Sequence, residues 1–262
     1  MMKGFFLSLQ SEFYKSRKTL GFWSAILLPL LITALVTLGF FLKSAKFSAT
    51  PAMGLWIQFA GIPLGMMGSF LLPMFVVFIA YSVNSVEHKA DTWKMLFTLP
   101  ISKWAMYSAK YVYAMLLVLL CMLLFAILTL GFGNLLSIMK PELKFSDYHM
   151  EKALFQIYFK LFLASLSILS LQFLLSLLWV DFLKPMGVGF VGTIIGGILA
   201  GNAKWEHAYL VPFSQPLLSI MSLGRQANAG IDLFTKEVCA SMAIGFVIFI
   251  CGYFIVQRKS VK

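Results

Sequence analysis

Leu20–Leu42 reads LGFWSAILLPLLITALVTLGFFL, 23 residues without an Asp, Glu, Lys or Arg. A helix rises about 1.5 Å per residue, so about 20 apolar residues cross the ~30 Å hydrocarbon layer of a bilayer. The stretch is apolar all round, which suits lipid better than a half-wet surface. Five more stretches follow the same pattern. Leu64–Val86, Leu161–Val180 and Val238–Gln257 fit a bilayer closely, and Met186–Ala203 is the shortest and richest in glycine. Tyr111–Met139 exceeds the requirement, so its span (111–136) should tilt or run past the interface.

Composition agrees with lipid as solvent. Of 262 residues 60% are hydrophobic and 12% charged, against about a quarter charged in soluble domains. A single soluble fold cannot hide that much apolar surface. The net charge of +11 sits in clusters flanking the apolar runs, where it sets orientation and contacts anionic headgroups rather than nucleic acid. Cys121, Cys239 and Cys251 all lie in apolar stretches and suggest neither a disulfide framework nor a zinc site. Met1–Lys18 is amphipathic and does not read as a secretory signal.

His207–Gly224 has no Asp, Glu, Lys or Arg but holds Pro212 and Pro216. Prolines so placed break a helix, and the freed backbone groups are tolerated at membrane depth only under protein or water. The segment therefore reads as re-entrant, although a seventh span is the alternative. With six spans both termini share a side, which collects 12 of the 21 bases and 4 of the 10 acids. The bias of Lys and Arg toward the cytoplasm places both termini inside a multi-pass plasma-membrane protein. The expected fold is one all-α integral membrane domain over 1–262: six transmembrane helices, an N-terminal amphipathic interfacial helix over 3–18, and a re-entrant outer segment before the last span.

Within 3–18, Phe5, Phe6, Leu9 and Phe13 share one helical face, and Ser8, Ser11, Glu12, Lys15 and Lys18 the other. This predicts aromatics in the membrane and bases toward lipid phosphates. The outer connections, Lys140–Lys160 and Lys204–Lys236, mix charges with aromatics in the manner of interface anchors. In the fifth span, Gly192 and Gly196, and Gly197 and Gly201, are spaced for close helix approach, within the bundle or across a dimer.

The largest inner loop, Glu87–Lys110, reads EHKADTWKMLFTLPISKWAMYSAK. It is too short for a domain, yet half apolar. Helical spacing brings Trp93, Leu96 and Phe97 together before Pro100 stops the helix, making a docking element for a soluble partner or a helix lying flat on the membrane.

Chemistry is hard to find. The sequence has no G-x-x-x-x-G-K-[ST] phosphate loop and no H-E-x-x-H, and His88, His149 and His207 fall in three loops. No carboxylate falls mid-span, which disfavours proton coupling and intramembrane metal chemistry. Ser165, Ser167, Ser170 and Ser176 share one span without a basic partner at depth, and read as helix–helix contacts. Catalytic, metal-binding and cofactor-binding residues are therefore all expected to be absent.

The chain nevertheless resembles the permease subunits of the ABC-2 exporter group, most nearly the small lantibiotic-immunity and bacteriocin-resistance permeases. The features are the amphipathic start with Glu12, Lys15 and Arg17, the six spans, the outer proline segment, and Glu87 followed by Thr92-Trp93 and Leu99-Pro100-Ile101-Ser102-Lys103, ending in Lys110. The resemblance implies that Glu87, Thr92, Trp93, Leu96, Phe97, Leu99, Pro100 and Ser102 form a loop coupling to a separate ATPase. It also implies that ATP and magnesium are bound by that partner, and that two permeases, identical or related, work as a dimer. Spans lined with Phe70, Met74, Phe78, Met115, Met122 and Phe125 suit an apolar or amphipathic cargo, such as an antimicrobial peptide or lipid-like compound. An intramembrane enzyme, or a membrane scaffold without transport, is the alternative.

Overall fold

The computed structural model describes residues 2–89, 102–201, 205–225 and 230–258. The described residues are helical, without strands. The main helices are α1 (Met2–Ser16), α2 (Leu20–Leu42), α3 (Ala52–Met66), α4 (Leu72–Lys89), α5 (Lys103–Met139), α6 (Glu151–Ala164), α7 (Leu166–Leu178), α8 (Leu183–Gly201), α9 (Gln215–Arg225) and α10 (Lys236–Arg258). Five helical stretches are long and apolar enough to cross a bilayer. A sixth crossing is made if α6 and α7, bent by 40°, count as one span.

Several boundaries differ from expectation. The second span begins at Ala52, because α3 runs into α4 through a π-helical turn, Met67–Leu71. Pro73 has no N–H to offer the preceding turn, and the wider turn accommodates it, with the Leu72 amide bonding to the Met67 carbonyl. The third span is 37 residues, from Lys103, about 55 Å of helix and well beyond the hydrocarbon. The fourth is broken at Ser165, whose hydroxyl donates to the Phe162 carbonyl at 2.7 Å, a back-bond that bends helices.

Helix α4 runs antiparallel to both α2 and α5, which are parallel to each other. Gly21 of α2 lies against Ser82 and Ile79 of α4, and α2 runs along α5. At one end Lys103 donates to the Gln257 carbonyl at 3.4 Å and Tyr107 to the Phe249 carbonyl at 2.9 Å. The end of α10 therefore sits beside the start of α5, at the end where α1 docks. The far end is closed by Phe40, Trp56, Phe59 and Phe145, and the Trp56 indole donates to the Phe145 carbonyl at 2.9 Å.

The serines of α7 act between helices. Ser176 accepts from Asn84 of α4 at 2.7 Å, Ser170 shares a hydrogen bond with Tyr111 of α5 at 2.7 Å, and Ser167 donates to Gln215. Ser241 of α10 accepts from the Ser167 amide at 3.1 Å.

The proline segment before α10 forms two short 3-10 turns, Ala208–Leu210 and Pro212–Ser214, followed by α9. It is folded into the bundle, with Ser214, Gln215 and Ser219 all buried. Phe213 and Ser214 of its irregular part are buried, while Trp205 and Leu210 are exposed. Phe213 rests on Gly192 and Gly196 of α8, and Ile220 on Gly68 of the π turn. Gly197 and Gly201 face open space, so only half of the glycine pattern packs within the chain.

One placement is corrected outright. Lys160, read as the end of an outer loop, lies inside α6 and is 1% exposed.

Candidate functional site

Four charges meet where α1, α4 and α5 converge. Lys110 of α5 reaches Glu87 of α4 at 2.6 Å and Glu12 of α1 at 3.0 Å. Lys15 of α1 reaches Glu87 at 3.2 Å and Glu12 at 3.3 Å. Each acid touches both bases, so the four form a closed ring of alternating sign and zero net charge. Glu12, Glu87 and Lys110 are buried; the Lys15 side chain is 32% exposed.

The sequence builds the ring simply. Glu87 and Lys110 each abut an apolar span, so folding the two spans side by side brings both charges to one level. Glu12 and Lys15 lie one helical turn apart and point the same way. Burial opposes the Lys15 charge, but the nearby carboxylates of Glu12 and Glu87, which also accept its hydrogen bonds, outweigh that and hold its pKa above the ordinary lysine value. Desolvating four charges makes such a network a poor source of stability but a strict one for register, since a missing member leaves a buried charge uncompensated.

The docked face of α1 is therefore its polar one. Ser8, Glu12 and Ser16 are buried, whereas Phe6 and Tyr14 are exposed. Phe5, Leu9 and Phe13 lie along the edge of the contact with the bundle, where Phe13 meets Tyr113 edge-on at 4.9 Å. The expectation that Lys15 faces lipid phosphates is corrected: its partners are Glu12 and Glu87, because α1 finds a buried acid and base to pair with. The helix also ends at Ser16 rather than Lys18.

Of the expected coupling residues, Thr92, Trp93, Leu96, Phe97, Leu99 and Pro100 lie outside the described residues. Ser102 caps α5, accepting from the Ala105 amide at 3.2 Å. Glu87, expected as a surface contact, is 1% exposed and is instead an internal anchor. Lys110 closed the quoted motif without an assigned role; its position hard against an apolar run was the available signal.

A second charged contact escaped sequence reading. Lys160 donates to Ser222 of α9 at 2.9 Å and lies 3.9 Å from Glu237 of α10. A single lysine within FQIYFKLFLA was its only mark. Among the described residues no group of three or more His, Cys, Asp or Glu is placed to hold a metal ion.

Apolar spans, an irregular segment packed against the bundle, and a buried ring of four charges at one end define a polytopic helical membrane protein. Residues 8–196 match the family model described as ABC-2 family transporter protein, and the chain belongs to that family. It is the membrane-spanning permease subunit of an ABC transporter and not itself the ATPase. Neither a curated protein nor a solved structure matches the chain.

Proposed function

We propose that the chain carries an amphipathic or hydrophobic compound outward across the plasma membrane, driven by a separate ATPase that docks on the segment between Glu87 and Ser102. Antimicrobial peptides and lipid-like molecules are the cargo class, as in lantibiotic immunity. Both termini and the docking segment face the cytoplasm, Mg-ATP binds the partner, and a second permease completes the assembly.

The ion-pair ring carries this reading. It pins both ends of residues 88–109 and ties them to α1, so a push on the segment reaches α4, α5 and α1 together. Glu87 serves as the anchor, while Trp93, Leu96, Phe97 and Leu99 supply the apolar surface a soluble partner needs. The methionines and phenylalanines of the spans suit a cargo recognised by shape and apolar area.

Co-expression with a candidate ABC ATPase from the same genome, followed by co-purification, tests the docking. The ATPase should be retained by the unsubstituted chain and lost when Leu96, Phe97 and Leu99 are replaced by Asp. Equal retention by both chains would exclude this docking site.

A further inference from the structure

Lys160 and Glu237 stand beside a cavity of about 600 Å³, within the usual range for small-molecule sites. It is lined by Trp205, Glu206, Tyr209, Met221, Lys236 and Glu237, among others. It lies between the proline segment, α9 and the start of α10, away from the ion-pair ring.

Glu237 is 8% exposed, and among the described residues its Oε1 accepts no hydrogen bond. Its nearest cation among the described residues, Lys160, is 3.9 Å away and gives its hydrogen bond to Ser222 at 2.9 Å instead. Oε1 is itself buried, and a carboxylate that lines the cavity with no cation nearer than 3.9 Å among the described residues keeps acceptor capacity for a donor entering there. Among the described lining residues the charged ones are Glu206, Glu237 and Lys236, with Lys160 set behind Glu237 and Ser222. Trp205 and Tyr209 add aromatic surface, which attracts cations and also packs against hydrocarbon.

We propose that this cavity binds an amphiphile bearing a primary ammonium group, its head donating to Glu237 and Glu206 and its apolar body lying along Met221 and Trp205. The proposal rests on the reading of the cargo as amphipathic and narrows it to a cationic one. It does not depend on the ATPase docking segment.

Binding of octylammonium to the full-length chain in lipid nanodiscs, with empty nanodiscs subtracted, is the test. Octyltrimethylammonium, which keeps the charge but has no N–H, and octanoate, which reverses it, are the comparison probes. Octylammonium should bind at least about tenfold tighter than either, the size expected of a charge-assisted hydrogen bond. Glu237→Gln and Glu206→Gln should each weaken it, Glu237→Gln the more. Should Glu237→Gln fail to fold, Met221→Trp decides, since it fills the cavity from an exposed position and leaves every charge in place. Octanoate binding as tightly as octylammonium, or undiminished octylammonium binding by Met221→Trp, overturns the proposal. ATPase co-purification is read separately and would stand after either result.

Discussion

Lys110 Nζ lies 2.6 Å from Glu87 Oε2, so the two charges that bracket residues 88–109 are in contact with each other. Glu12 and Lys15 complete the ring from α1. A segment that looks like a loop between two spans is thus held at its base by a buried lock.

Breaking the lock from one side should cost more than removing it. Lys110→Met leaves Glu12 and Glu87 sharing only Lys15, and loss of one buried partner typically costs about 3–5 kcal/mol. Glu87→Leu combined with Lys110→Met leaves the Glu12–Lys15 pair intact and should recover much of the loss. Thermal unfolding in detergent of the two single variants and the double variant measures this. A double variant as damaged as the sum of the singles would show that the two residues act independently.

Stability should also fall at alkaline pH. The folded Lys15 pKa is raised, above an unfolded value of about 10.4. Its contribution is therefore fully present below the unfolded value and lost as pH rises through the folded one. A melting series from pH 7 to 11.5 should be level on this account to about pH 10 and then drop. Lys15→Met should start lower and lose part of that drop.

The glycines of α8 should divide into two classes. A Cβ at Gly196 would lie 2.5 Å from the Phe213 carbonyl carbon, and backbone cannot move aside. Gly196→Ala should cost about 1–3 kcal/mol, the usual range for overpacking. Gly197 and Gly201 meet nothing within 4 Å, so Ala there should be neutral or gain up to about 1 kcal/mol from helix propensity. Melting temperatures of the three single variants in detergent are the measurement.

Ser102 caps α5 where the docking segment joins it. Ser102→Ala should cost about 1 kcal/mol, and Ser102→Asp, which also caps, should restore it. Amide hydrogen exchange over residues 102–106 gives the local reading. Unchanged protection in the Ala variant would show that the cap carries little of the local stability.

The fold class was legible in the sequence because its cause is local. The length of an uncharged run decides whether it can cross a bilayer, and no distant residue changes that. The paired prolines also act locally, by interrupting the helix, and Pro212–Ser214 forms a 3-10 turn with Phe213 and Ser214 buried. Span ends were less legible. A run of apolar residues does not say where a helix starts, and Ala52 and Lys103 extend theirs through residues that composition alone would assign to loops.

What the tertiary structure decided was which face meets which. Helix α1 carries an aromatic stripe and a polar one, and its sequence suits docking by either. Lys110 and Glu87 settle the matter, because they hold a base and an acid at fixed positions that pair with Glu12 and Lys15 at once. Lys160 follows the same logic: its surroundings are supplied by α9 and α10, distant in sequence. The sequence by itself determined that the chain is a helical membrane protein, through the energetics of each segment against lipid. The ion-pair ring and the surroundings of Lys160 were decided by contacts between residues distant in sequence, which no local pattern encodes.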